Sequence, residues 1–340
     1  VESGSSQAMP MWALSPFASR PPWMRIAIIG VGSIGGILLG ALSDTDAEMV
    51  AVARGTTATE LSDMGLVMHM PEGSIEVIPP DAFSTFDSAA GPVPDEIHGS
   101  CDAAILCGKA DSTSMLVQLA EDVLSPEGVA ISVQNGLGHA EELAHRLGRS
   151  RVLGGSITHA AWRDGEGSVH WAGRGAIRLG WLDGGAPSGA ATELLATLEA
   201  AGLEPVWSED MQRVVWIKLL VNVAINPVCS IAGVRNGALL EMPELWEQAL
   251  GAMQEAATVA EASGVDLGDL VLDDYLRQVA GATAENRCSM LQDVMAGRPT
   301  EIDALCGAVV SQGESVGVPT PRNAMLHALV KGIEISPHFD

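Results

Sequence analysis

The chain has 340 residues, 47% hydrophobic and 18% charged, the profile of a globular protein long enough for two domains that each bury an apolar interior. Its formal net charge of −25 opposes binding to nucleic acid or to an anionic membrane surface, and no run of Lys or Arg supplies a local exception. Five scattered cysteines without a C-x-x-C pair indicate neither a disulfide framework nor a zinc site, so no metal is expected, and they fit a reducing cytoplasm.

Residues 1–23 are rich in Ser and Pro and lack a basic segment followed by an apolar stretch, so they read as a disordered extension or tag remnant, with folding beginning at Met24. The apolar run from Ile26 to Leu42 contains too many glycines and is too short for a membrane span; it fits a buried strand, a turn and a helix. A second strand from Met49 to Ala53 completes a β-α-β unit. Strands at Ala103 to Cys107 and Val129 to Val133 alternate with helices at Ser112 to Asp122 and Ala140 to Leu147, which predicts a mostly parallel sheet. Val152 to Ile157, Gly167 to Ala172, Ala176 to Leu179 and Glu204 to Trp207 are expected to finish that sheet.

Beyond Ser208 the strand signals fade. Helices are predicted at Asp210 to Ala224, Pro243 to Ser263, Asp269 to Val279, Ala284 to Met295 and Glu301 to Val316. The fold class is therefore α/β, a Rossmann-type dinucleotide-binding domain over 24–208 followed by an all-α domain over 209–335.

Gly30-Val31-Gly32-Ser33-Ile34-Gly35 matches G-x-G-x-x-G and sits between an apolar strand and an apolar helix, the context that dinucleotide binding requires. Gly30 permits the tight turn, Gly32 admits the pyrophosphate to the backbone amides, and Gly35 allows close packing of helix on strand. In NAD-binding versions an acidic residue ends the second strand. Here that place reads Ala51-Val52-Ala53-Arg54; Glu48 lies too early to reach the ribose, whereas Arg54 suits a 2′-phosphate, so NADPH is favoured over NADH. The chain has only three lysines, Lys109, Lys218 and Lys331. Lys109 follows a strand at the sheet edge where cofactors bind, and either contacts cofactor phosphate or ribose or decorates the surface.

The segment Val214 to Asn226 is apolar nearly all round except for Lys218, Asn222 and Asn226, which at i, i+4 and i+8 form one stripe, with Pro227 expected to end the helix. Buried polar groups without partners cost about 1–3 kcal/mol each, so the stripe faces either a partner helix or a ligand. A second polar set, Asn286, Ser289 and Asp293, shares a face, and Glu301 follows shortly after Pro299 with a carboxylate able to pair with Lys218.

The glycine loop, Gln134-Asn135-Gly136-Leu137-Gly138, Thr158-His159-Ala160-Ala161, Trp216-x-Lys218 with Asn222 and Asn226-Pro227, and Ala284-Glu285-Asn286 through Ser289-Met290-Leu291-Gln292-Asp293 to Thr300-Glu301-Ile302-Asp303 together resemble the ketopantoate reductase family, from Met24 to about Glu334. The resemblance implies NADPH-dependent reduction of ketopantoate to pantoate, on the way to pantothenate and coenzyme A. It implies Lys218 as the catalytic lysine and proton donor, Glu301 as the second catalytic residue, and Asn135 near both nicotinamide and substrate. Asn222, Asn226, Asn286 and Ser289 are implied as substrate-binding positions, and His159 is given no acid role. Two departures stand out: Lys109 is followed by Ala110-Asp111 where the family often has an aromatic, and the N-terminal extension has no family counterpart. The alternatives are a reductase of another small 2-oxo acid and a non-catalytic NADPH-sensing module, the latter having no use for Lys218 and Glu301 together. The protein is expected to be a monomer or homodimer.

Overall fold

The computed structural model describes residues 23–164 and 167–336. The expected extension at 1–23 therefore lies, Trp23 apart, outside the described residues. The first part of the chain runs β1 (Arg25–Ile29), α1 (Ser33–Ser43), β2 (Glu48–Ala53), α2 (Thr56–Met64), β3 (Leu66–His69), β4 (Ile75–Ile78) and β5 (Phe83–Asp87). It continues with β6 (Cys101–Leu106), α3 (Thr113–Val123), β7 (Leu124–Ser132), α4 (His139–Leu147), β8 (Val152–Ile157), β9 (Ala160–Arg163), β10 (Ser168–Gly173), β11 (Ile177–Trp181), α5 (Ala190–Ala200) and β12 (Pro205–Trp207). Helices follow: α6 (Met211–Ala232), α7 (Ala238–Glu241), α8 (Pro243–Ala262), α9 (Leu272–Ala282), α10 (Ser289–Met295), α11 (Ala308–Val316) and α12 (Pro321–Ile335).

Eight strands form the main sheet in the order β12-β11-β8-β7-β6-β1-β2-β5, parallel throughout except where β11 meets β8. Both faces are covered, which is why β1 and β6 read as continuous apolar runs. Ile26 and Ile28 pack with α1, α5 and the small sheet, while Ala27 and Ile29 pack with α3 and α4 on the other side. The strand order reverses between β1 and β6, which opens a crevice at their carboxyl ends, the standard ligand position in a sheet of this kind.

β10 does not join the main sheet, contrary to expectation. It pairs with β3 and β9 in a second sheet of order β4-β3-β10-β9. Its inner face covers α1, and Gly36 and Gly40 leave room there for Val169 and Met68. These strands escape sequence patterning because three of the four have only four residues, too few for alternation to show.

In the helical part α6 runs through Pro227, so the proline does not end it. Residues 223–230 are all buried, and that packing outweighs the backbone hydrogen bond the proline removes. By length and composition α6 alone among the described helices suffices to cross a membrane, but here it is the core helix, packed on α8, α10 and α12. Residues 284–288 are not helical, and the helix expected from Glu301 begins instead as a wide π turn over Asp303–Gly307.

Candidate active site

The glycine loop closes the end of β1, where Gly30 at φ +93 donates its N–H to Val52 O at 2.9 Å. A side chain at Gly35 would place Cβ 2.2 Å from Gly30 O, so packing of α1 on the loop demands glycine there. Gly32 is different: φ is negative, and a Cβ would meet nothing within 4 Å. Neither backbone nor packing explains Gly32, whereas close approach of a phosphate does. α1 also starts at Ser33 without a side-chain cap, leaving its first N–H groups for an anion. The residues present thus fit a dinucleotide pyrophosphate.

Arg54 is exposed at the end of β2. The preceding residue, Ala53, pairs across the strands with Asp87, whose carboxylate accepts from Gly55 N and Ala89 N, both at 2.9 Å. Those two N–H groups, with help from the Arg54 charge, hold the Asp87 carboxyl below its usual range. Asp87 therefore shapes the turn that carries Arg54, a role no motif announces.

Three side chains, Lys218, Asn135 and Lys109, tie the sheet to the helical layer. Lys218, half-buried on α6, donates from Nζ to Ile157 O at the end of β8 at 2.7 Å. Asn135 donates from Nδ2 to Glu301 Oε2 at 2.8 Å. Lys109 reaches Asp293 Oδ2 at 2.9 Å and Pro299 O at 2.5 Å, so its ammonium points across the cleft. Asp293 in turn accepts from Arg298 Nε at 2.9 Å.

The expected ion pair between Lys218 and Glu301 does not form. Lys218 takes a backbone carbonyl and Glu301 takes Asn135, so each charge is met by a polar group from the facing sheet layer instead of by the other. Burial pushes the Lys218 ammonium down from 10.5 to about 8, and the facing Glu301 charge opposes that shift. The two groups thus sense each other without touching.

The Asn135 turn is fixed from below and from the side. Its carbonyl meets His139 Nε2 at 2.9 Å, so that nitrogen carries the hydrogen. Gly136, at φ +102, presses on the π turn, where an added Cβ would lie 2.4 Å from Ala304 O. Only glycine lets the turn approach closely enough to join Asn135 to Glu301.

A small recess beside Lys218 is lined by Gln134, Gly136, Gly155, Ser156 and Asn222. Asn226 lies on the same helix but deeper, 8% exposed. Asn286 and Ser289 are exposed at the start of α10. His159 is buried, with Nδ1 accepting from Gly175 N at 2.9 Å and Nε2 meeting Leu203 O at 3.1 Å; both ring nitrogens are occupied structurally.

Residues 26–184, which hold the glycine loop, match the family model for ketopantoate reductase PanE/ApbA, and residues 210–334, which hold Lys218 and Glu301, match its C-terminal counterpart. The chain belongs to the ketopantoate reductase family. Among curated relatives of this family, the 2-dehydropantoate 2-reductase of Archaeoglobus fulgidus is 32% identical over 314 residues, 91% of this chain and 98% of that protein. The crystal structure of a PanE/ApbA family ketopantoate reductase from Ralstonia eutropha superposes with a TM-score of 0.81 at 27% identity, covering 92% of this chain and 98% of the other. A D-mandelate dehydrogenase in ternary complex with NADH and anilino(oxo)acetate matches with a TM-score of 0.82 at 23% identity, again over 92% and 98%, a likeness of fold.

Within this ketopantoate reductase fold, sequence reasoning missed the Ile157 carbonyl, Asp87, His139 and Arg163. The first has no side-chain signal at all. The others lie on short or irregular segments whose partners are more than 25 residues away or supplied by backbone.

Proposed function

We propose that the protein reduces 2-dehydropantoate (ketopantoate) to pantoate with NADPH, a step toward pantothenate and coenzyme A, in the cytoplasm. The observation that carries this reading is Lys218: an ammonium held on the Ile157 carbonyl beside a small recess and faced by Glu301, with burial pushing it down to about 8. Residues 24–208 are proposed to hold the nucleotide and residues 209–335 the substrate. NADPH, when bound, supplies a hydride to the keto carbon. Gly30 to Gly35 and the free N–H groups of α1 hold its pyrophosphate, and Arg54 suits the 2′-phosphate.

The Lys218 ammonium stabilises negative charge developing on the keto oxygen and then gives it a proton, so an O–H bond forms and an N–H bond breaks. Solvent later restores the proton. Because its pKa lies near the working pH, Lys218 is mostly protonated yet a competent acid. Glu301 keeps that proton in place electrostatically and orients Asn135. Asn222, which lines the recess beside Lys218, is assigned to the substrate oxygen with Asn226 one turn further along α6, and Asn286 and Ser289 are assigned to its carboxylate. The working unit is a monomer or homodimer.

The test is the initial rate of NADPH oxidation with ketopantoate, beside NADH and beside pyruvate and branched 2-oxo acids. High selectivity for ketopantoate with NADPH is expected. Preferential turnover of another 2-oxo acid overturns the substrate, and tight NADPH binding without turnover of any acid overturns the enzymatic reading in favour of a sensor.

A further inference from the structure

Arg163 belongs to no cofactor motif, yet it stands at the mouth of the nucleotide crevice. From β9 its Nη1 donates to Val31 O at 3.0 Å and lies 3.4 Å from Thr57 Oγ1. Val31 is inside the glycine loop, and Thr57 is in the first turn of α2, three residues after Arg54. One guanidinium thus spans the turns that end β1 and β2, between which the adenosine ribose lies in a fold of this order.

The side chain is 22% exposed and its position is braced. Trp162, the preceding residue, stacks on His170 at 3.7 Å, and His170 stacks on His69 at 4.1 Å. Asp164, the following residue, faces His170 Nε2 at 3.0 Å and also accepts from Ser168 Oγ. With both chain neighbours anchored, the Arg163 stem has little freedom left to lose on binding. Its second arm is underused: Nη2 lies 3.6 Å from Glu60 Oε2, longer than the roughly 2.7–2.9 Å of a good charge-assisted hydrogen bond.

We infer that Arg163 is a specificity-determining residue for the cofactor, closing with Arg54 a two-guanidinium clamp on the 2′-phosphate of NADPH. In a chain of net charge −25, a local pair of guanidinium groups is what lets a doubly charged phosphate dwell there. Arg54 comes from the end of β2 and Arg163 from the small sheet, so the two guanidinium groups approach the site from different sheets. The inference rests on the NADPH reading above.

Isothermal titration of the full chain with 2′,5′-ADP and 5′-AMP, and with NADPH and NADH, tests it in the wild type and in Arg54→Ala, Arg163→Met and Arg163→Lys. Loss of one charge-assisted contact predicts about tenfold or more weakening of 2′,5′-ADP and NADPH by Arg163→Met, and less than about threefold for 5′-AMP and NADH. Equal weakening of all four would show that Arg163 only ties the glycine loop to α2, and the inference would fall. Should the Met variant not fold, Arg163→Lys keeps the charge and loses the fork: a loss confined to the 2′-phosphorylated ligands supports the clamp, and an even loss overturns it. A wild type that does not distinguish 2′,5′-ADP from 5′-AMP overturns the NADPH reading itself, and with it the clamp.

Discussion

Replacing Lys218 by Met is expected to abolish most turnover while making the folded protein slightly more stable at neutral pH. Burial moves the ammonium from 10.5 to about 8, and at about 1.36 kcal/mol per pH unit the charged form costs the fold roughly 3 kcal/mol. Partial solvent contact trims this to about 2 kcal/mol. Met fills a similar volume without the charge, but forfeits the 2.7 Å hydrogen bond to Ile157 O; a bond of that kind contributes about 1 kcal/mol net. The variant should therefore be about 1 kcal/mol more stable at pH 7.

The sign changes with pH. Between about 8 and 10.5 the unfolded chain holds a proton on Lys218 that the folded chain does not, so wild-type stability rises with pH across that window. The Met variant has no such gain, so its advantage should vanish near pH 9 and reverse above it. Urea unfolding followed by Trp fluorescence at pH 7 and pH 9.5 reads the difference, Trp216 being buried on the same helix. A variant less stable at pH 7, or an offset unchanged by pH, would refute the claim that the active site holds Lys218 charged at the expense of stability. Turnover should fall about 10² to 10⁴-fold, the usual worth of a positioned acid.

The remaining predictions concern the same site and the loop beside it. Above pH 8 the wild-type kcat/KM should decline as Lys218 loses its proton, and Glu301→Gln, by removing the charge that supports the ammonium, should move that decline to lower pH; an unmoved limb would exclude the coupling. Gly32→Ala should leave thermal stability within about 0.5–1 kcal/mol of wild type, since its Cβ meets nothing, while dinucleotide affinity falls at least tenfold. Gly35→Ala should destabilise the fold itself by several kcal/mol, its Cβ falling 2.2 Å from Gly30 O; similar melting temperatures for the two variants would show that the loop relaxes freely.

Some of this was legible in the chain and some was not. The glycine loop could be read because a strand, a turn and a helix each leave a local signature, and the stripe of Lys218, Asn222 and Asn226 could be read because helical spacing puts polar residues on one face of an apolar segment. Pro227 misled because local propensity says a helix stops there, and only the burial of 223–230 overrides it. The small sheet was invisible: β3, β4 and β9 are four residues each, and the pairing that joins its two hairpins, β3 with β10, links segments far apart in sequence. Lys218 was found, but its partner is a main-chain carbonyl, which any sequence supplies everywhere and none marks. Lys109 was placed at the right edge of the sheet, whereas its ties to Asp293 and Pro299 O depend on how the two layers meet.

That meeting sets the geometry of the candidate site. Lys218 rides on the helical layer and is held by the end of β8; Glu301 rides on the helical layer and is held by Asn135 after β7. Each of these two side chains is thus held by a group from the other layer. Gly136 sets how near the layers come, because any side chain there would collide with Ala304 O. Lys109 adds a third tie, and unlike the other two it is an ion pair, with Asp293 only 13% exposed and shared with Arg298. A charge-charge tie therefore stands beside a neutral-acceptor tie and an amide tie, so raised salt should weaken the Lys109 tie first and leave the Lys218 and Asn135 contacts largely unchanged.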